Sequence, residues 1–301
     1  MVVKREITLL VGDNPFHGIS HLSQDRAIAR GNDIRRVDYA AKLVTTALDN
    51  GADGFMFSVS DTTLSILKAI GEPKKASPLY AIVPYAYEYV RLATQLGISG
   101  LASKLIKQIV FSGNIKAIVE GLKGVTRMDL EAIMKTYIYY EMSRVKAAMG
   151  KKPVLEAFIL HEIITDMAAA LKMDRFFRSY IGFLEKLKIK PGFETRNFAY
   201  LVNRFKDWDI DFSRVVIATP FNKVGFQMNP SREVCERALS ELPDANVIAM
   251  SVLAAGYLKL PDAIEYVESL PNVGSVVIGI SKENHAYETF KFVRERFEPN
   301  L

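Results

Sequence analysis

The sequence predicts an α/β chain folded as a closed (β/α)8 TIM barrel, with a helical insertion between strands 3 and 4. Three observations predict it. Short apolar runs of strand length alternate eight times with segments of helical periodicity, which implies parallel strands joined by helical crossovers. The 301 residues are enough for one such barrel and an insertion. No Gly-x-Gly-x-x-Gly follows any apolar run, so the main signature of an open doubly wound sheet is missing.

The first strand is read at residues 7–11. It opens into a loop, 12–23, that holds Asp13, Asn14, Pro15, His17 and His21. A helix capped at Asn32 or Asp33 follows, with Ile34, Val37, Ala41, Val44 and Leu48 on one apolar stripe, and Asn50-Gly51 stops it. The second strand is 54–59. Ser60 or Asp61 caps a helix that ends at Gly71. The third strand is 79–83, closed by Pro84.

From Tyr85 to Gly150 the pattern is helical with no strand. Residues 129–149 suffice for the barrel helix, so residues 86–128 read as a helical insertion or lid within one domain, 1–301. Such insertions belong to the loop side that carries function. The fourth strand, 154–160, is almost wholly apolar, as a strand buried on both faces should be. A helical stretch spans 167–187, in one or two pieces. The remaining strands fall at 192–195, 215–219, 247–250 and 276–280. Ser231 caps the sixth helix, the seventh runs 261–270, and the eighth carries Ala286, Phe290, Val293 and Phe297 on one stripe.

Composition bounds the function. A hydrophobic fraction of 49% supports a large core and excludes global disorder. No apolar run reaches the roughly 20 residues that span a bilayer, and the first residues lack a signal-peptide pattern. A cytoplasmic protein without membrane partners is the expectation. Cys235 is the single cysteine, which removes an internal disulfide and a cysteine-based metal cluster. The net charge of +5 is concentrated between Gly100 and Lys152, where ten Lys and Arg face four acids. Such an excess either solvates helix faces or draws a small anionic, phosphorylated substrate. Aromatic residues do not interleave with it, so no nucleic-acid partner is expected.

Barrel sites lie at the C-terminal strand ends. The polar groups there are Asp13, Asn14, His17, His21, Asp61, Tyr85, His161, Glu162, Glu194, Arg196, Asn197, Asn222, Ser251, Ser281 and Lys282. Each also has a structural reading. Asp13-Asn14-Pro15 suits a turn, Asp61 and Ser281 suit helix caps, Glu194 suits a pair with Arg196, and His17 or His21 suits packing. His161 stands out, because an apolar strand ending in His-Glu sets an imidazole at the mouth. His285, in the first turn of the last helix, reads as a surface residue.

From the fourth strand onward, roughly residues 150–301, the chain resembles the aldo-keto reductase superfamily. FILHE resembles that family's fourth strand, which ends in a catalytic histidine at the position of His161. ETRNF, VIATPFN and MSVLAAGYL resemble the motifs after strands 5, 6 and 7, with Asn197, Asn222 and Ser251 on their polar positions. The last unit, PDAIEYVESLPNVGSVVIGISKEN, places Ser281 and Lys282 where the family holds its cofactor's phosphate at a helix N-terminus. The resemblance implies NADP(H) or NAD(H) as cofactor and His161 and Asp61 as catalytic residues. The first half departs from the family. No Tyr-Gly follows Asp61, the third strand ends Val83-Pro84-Tyr85 rather than in lysine, and Ala218 and Val252 replace a glutamine and a proline. Tyr85 is the one tyrosine placed to substitute as acid.

Three functions fit these residues. One is a divergent reductase-like enzyme that binds a nicotinamide nucleotide or another phosphorylated ligand, without ordinary carbonyl reduction. Another is a metal-assisted lyase, isomerase or hydrolase whose divalent metal is held by His17, His21 and His161, with Asp13 or Glu162 completing the site. The third is a non-catalytic barrel that binds a ligand. Asp13, His17 and His21 belong to the half without resemblance, where new chemistry would differ most.

Overall fold

A computed structural model describes residues 7–17, 36–71, 77–85, 130–151, 153–242 and 246–297. His21, the expected caps Asn32 and Asp33, and the whole 86–128 insertion lie outside them. The described chain closes into an eight-stranded all-parallel barrel in strand order 1 to 8, so the (β/α)8 architecture is observed. The strands are β1 (Thr8–Gly12), β2 (Gly54–Ser58), β3 (Pro78–Val83), β4 (Val154–Leu160), β5 (Lys190–Glu194), β6 (Val216–Pro220), β7 (Asn246–Met250) and β8 (Val273–Gly279). β8 pairs with β1 from Thr8↔Ser275 to Gly12↔Gly279 and so shuts the ring.

Alternation along each strand sends one set of side chains inward and the other toward the helices. The inward set, Leu10, Met56, Tyr80, Ile82, Ala157, Ile159, Val216, Ala218, Ile248 and Met250, fills the interior, so the barrel is a packed core. Gly192 shows how tight that packing is. A Cβ there would lie 2.5 Å from Ile159 Cγ1, so β5 needs glycine opposite β4. The outward set meets a ring of helices in a second, larger apolar layer.

That ring comprises α1 (Val37–Asp49), α2 (Asp61–Ile70), α3 (Leu130–Ala148), α4 (Glu162–Ala170), α5 (Asp174–Lys186), α6 (Phe198–Asp207), α7 (Arg232–Ser240), α8 (Leu260–Ser269) and α9 (Glu283–Phe297). The predicted stripes pack inward: on α1 Ala41 and Val44 are buried and Val37 and Leu48 half-buried, and on α9 Ala286, Phe290, Val293 and Phe297 are buried. Ser60 caps α2 by a capping box closed with Thr63, a device that contributes on the order of 1 kcal/mol. Ser231 caps α7 as expected.

Several boundaries differ from expectation: β5 and β8 begin earlier, at Lys190 and Val273, and three helix starts move. α1 starts at Val37, because Arg36 is extended. α4 starts directly at Glu162, earlier than residue 167. Its Ile163, Met167 and Leu171 face solvent, so apolar periodicity there does not report burial. The helix then breaks at Lys172, whose φ of 54° ends it before α5. Finally, α9 starts at Glu283, and Ala286 N–H bonds Lys282 O, so Ser281 precedes the capping position instead of filling it. Among the described residues no helix is long and apolar enough to cross a membrane.

Candidate functional site

The C-terminal strand ends surround a cavity of about 390 Å³, within the range of small-molecule sites. One side carries titratable groups: Asp13 after β1, Tyr85 after β3, His161 and Glu162 after β4, and Glu194 and Arg196 at and after β5. The other side mixes small, hydroxyl-bearing and apolar residues: Ser251, Val252, Leu253, Ala255 and Gly256 after β7, and Gly279 and Ser281 at and after the end of β8. His285, read from sequence as an ordinary surface residue, also lines the rim.

Asp13 is held from two directions. The chain turns up after β1 in a single 3-10 turn, Asn14–His17, with Phe16 N–H bonding Asp13 O. Asp13 Oδ2 then accepts the Ser58 N–H at 2.7 Å and the His17 Nε2–H at 3.0 Å. The Tyr85 ring lies against the His17 ring, with centroids 4.7 Å apart. Asp13 and His17 are both almost fully buried, so β1, β2 and β3 are tied together just above the sheet.

His161 occupies the N-cap of α4, and its Nδ1 accepts the Ile163 N–H at 3.2 Å. Burial, the largest influence, lowers its pKa. Glu162 opposes that shift and Arg196 reinforces it. Glu194, at the end of β5, is buried and accepts the Glu162 N–H at 3.4 Å. Its carboxyl is pushed up to about 8, chiefly by burial and next by the Glu162 carboxylate, against the pull of Arg196.

The expected Glu194–Arg196 pair is replaced. Arg196 gives Nε–H to Glu162 and Nη1–H to Gln227, which fixes the guanidinium at the mouth. Asp166 of α4 holds the β5 loop by accepting from Thr195 Oγ1 (2.5 Å), Arg196 N–H (3.2 Å) and Asn197 Nδ2 (2.9 Å). Burial raises the Asp166 pKa.

Several residues singled out in the sequence stand away from this cavity. Asp61 is the first residue of α2, its side chain 87% exposed, and it pairs with Arg144 at 2.5 Å. It is absent from the cavity wall because Ser60, not Asp61, ends the loop. Asn197 is engaged with Asp166. Asn222 is fully buried, and its amide bonds both Phe226 O (2.9 Å) and Phe226 N–H (2.8 Å), so it staples the β6 loop. Lys282 borders a separate shallow pocket with Arg36, Tyr39 and Lys42, which Ser281 shares. Ser251 and Ser281 do line the main cavity.

Among the described residues no three His, Cys, Asp or Glu side chains are disposed to hold a metal ion. The trio of His17, His21 and His161 includes a residue outside them. The basic excess is partly accounted for: Lys135 pairs with Glu131, and Arg144 with Glu141 and Asp61.

A nicotinamide nucleotide can be tested against the residues present. In the 251–256 loop, Ser251, Ala254, Ala255 and Gly256 have φ of 52°, 44°, 58° and 87°. Non-glycine residues held left-handed cost roughly 1 kcal/mol or more each and concentrate where a ligand is gripped. With the Ser251 and Ser281 hydroxyls, this side fits a phosphate-bearing group. The opposite side does not reproduce the reductase acid, since no lysine is among the cavity-lining residues and Asp61 is outside.

No family model and no curated protein matches the sequence. Solved structures do match. Two from Pseudomonas aeruginosa, each provisionally named an aldo-keto reductase, superpose with TM-scores of 0.57 and 0.56. They share 11% and 12% identity, over 96% of this chain and 91% and 90% of theirs. At that identity the likeness speaks for architecture alone: the chain has the barrel fold of the aldo-keto reductases, as the resemblance of its second half implied.

Proposed function

We propose that the barrel mouth is the active site of a divergent, aldo-keto-reductase-like enzyme. Its 251–256 and 279–281 side holds a nicotinamide nucleotide or another phosphorylated ligand. Its Asp13, His161 and Glu194 side receives a small polar substrate. The observation that carries this reading is the continuity of the cavity, which joins buried titratable groups to a strained, hydroxyl-bearing loop.

A nicotinamide, when bound, supplies hydride chemistry. The chain's own residues supply the rest. Arg196 is a fixed cation, Ser251 and Ser281 are hydroxyl partners, and Asp13 anchors the loop at 2.7 Å from Ser58 N. Among the described residues no lysine lines the cavity beside Tyr85, so the tyrosine–lysine route to ordinary carbonyl reduction is not assembled from them, and the proton donor comes from another group. Fluorescence titration of the full chain with NADPH and NADH tests the nucleotide. Saturable binding, weakened by Ser251→Val with Ser281→Val, is expected. No response to either nucleotide at millimolar concentration sinks the nucleotide reading.

A further inference from the structure

Arg196 is fixed at four points and left open at its tip. Its backbone N–H donates to Asp166 Oδ2 at 3.2 Å, and its backbone carbonyl accepts the Asn229 N–H at 3.3 Å. Its Nε–H goes to Glu162 and one Nη1–H to Gln227. A guanidinium carries five N–H donors in one plane, so three remain: the second on Nη1 and both on Nη2. Among the described residues no protein group takes the Nη2 donors, and Nη2 is not sealed inside the protein. The side chain lines the cavity and is 19% exposed, so the open donors are reachable at the mouth.

The grip on Arg196 comes from distant parts of the chain. Gln227 has a φ of 61°, a left-handed conformation that a non-glycine residue keeps only where its surroundings impose it. Asn222 imposes it by clasping the preceding residue, Phe226, with two bonds. Glu162 reaches Nε from the first turn of α4. A plain bridge between α4 and the β6 loop is complete with those two side-chain bonds, and the Nη2 donors are surplus to it. The same cavity is lined by Met56, Ile82, Met250 and Val277, which belong to the apolar interior of the barrel.

We propose that Arg196 is a specificity-determining residue for a small organic acid, whose carboxylate its free Nη1 and Nη2 donors receive. The apolar body of that acid lies against the four interior side chains. This rests on the reading of the mouth as an active site and names its substrate class. A planar carboxylate matches a planar fork through two parallel N–H···O bonds. Because Glu162 holds the Nε edge, the incoming acid takes the Nη1–Nη2 edge.

The charges at the mouth leave room for one more anion. Glu194 also faces Arg196, but burial and the Glu162 carboxylate push its carboxyl up to about 8, so it is uncharged at neutral pH. Asp13 is engaged by Ser58 and His17. Glu162 is the carboxylate that shares Arg196 with the substrate, so removing its charge should strengthen binding.

The test is fluorine NMR titration of the full chain with para-fluorobenzoate and its neutral isostere para-fluorobenzamide, at a pH below the Glu194 transition. Saturable benzoate binding is expected, tighter than the amide by about tenfold or more. Arg196→Met should abolish that preference and leave the amide unchanged. Arg196→Lys should not restore it, because an ammonium offers no fork. Glu162→Gln should tighten benzoate severalfold, and inorganic phosphate should displace it poorly. Equal binding of acid and amide, unchanged benzoate binding in Arg196→Met, full retention in Arg196→Lys, ready displacement by phosphate, or no saturable binding overturns the proposal. If Arg196→Met does not fold, the Lys and Gln variants decide. NADPH titration of the same samples keeps the two readings apart. Nucleotide binding without benzoate binding removes only the carboxylate site, and benzoate binding that needs Arg196, without nucleotide binding, removes only the nucleotide.

Discussion

Asp13 Oδ2 accepts the Nε2–H of His17 at 3.0 Å and, on the same oxygen, the backbone N–H of Ser58 at 2.7 Å. One buried carboxylate oxygen therefore fixes both the turn after β1 and the end of β2. Asp13→Ala leaves the buried Ser58 donor unpaired, which costs about 1–3 kcal/mol. Chemical denaturation should show that loss, and Asp13→Asn, which keeps an acceptor oxygen, should recover part of it. An unchanged midpoint in Asp13→Ala would show that the turn is not anchored this way.

Glu194 makes stability depend on pH in a stated direction. Its carboxyl is raised from 4.5 to about 8 in the folded chain. Between these values the unfolded chain has lost a proton that the folded chain keeps. Stability is therefore highest below the unfolded value and falls as pH rises toward 8, by up to about 1.4 kcal/mol per pH unit. Glu194→Gln removes this contribution. Unfolding curves across that window should diverge in slope between the two proteins, and parallel curves would refute the shift.

The two roles of His161 can be separated. His161→Ala removes the cap of α4 and should cost about 0.5–2 kcal/mol. His161→Asn restores a cap but not the Nε2–H donor. Thermal unfolding should therefore recover in the Asn variant while binding of a small polar substrate at the mouth does not. Recovery of both would mean that the imidazole acts only as a cap.

Asp61 should be dispensable, although the resemblance implied a catalytic aspartate there. Its side chain is exposed and its partner, Arg144, also pairs with Glu141. Exposed pairs contribute about 0–1 kcal/mol. Asp61→Ala is expected to shift the unfolding midpoint little and to leave nucleotide titration unchanged. A loss of binding would return Asp61 to the site.

Much of the barrel was legible in the sequence because buried parallel strands and amphipathic helices write their burial into apolar runs and stripes. The run ending in His161 is the clearest case. The start of α4 was not legible, because Ile163 and Met167 are apolar but exposed. The site was legible as a set of strand ends and less so as a set of partners. Glu194 and Arg196 are two apart and look paired, yet Arg196 binds Glu162 and Gln227, about thirty residues away in either direction. Asn222 matches a family position, but its two bonds to Phe226 show only in three dimensions. Nothing local to His285 announces that it lines the rim.

The seam between β1 and β8 has a kinetic consequence. It joins the first strand to the last, so its pairings, such as Leu9↔Val276, close nearly the whole chain into one loop. Contacts of that sequence separation carry the largest closure entropy and slow folding most. Gly279 lies against Pro15 across the seam: an added Cβ would sit 3.0 Å from that ring. Asp13 and Ser281 enter the cavity from its two sides. A ligand that spans them cannot bind until the ring has shut, so in refolding the return of binding should lag the return of helical signal and keep time with ring closure.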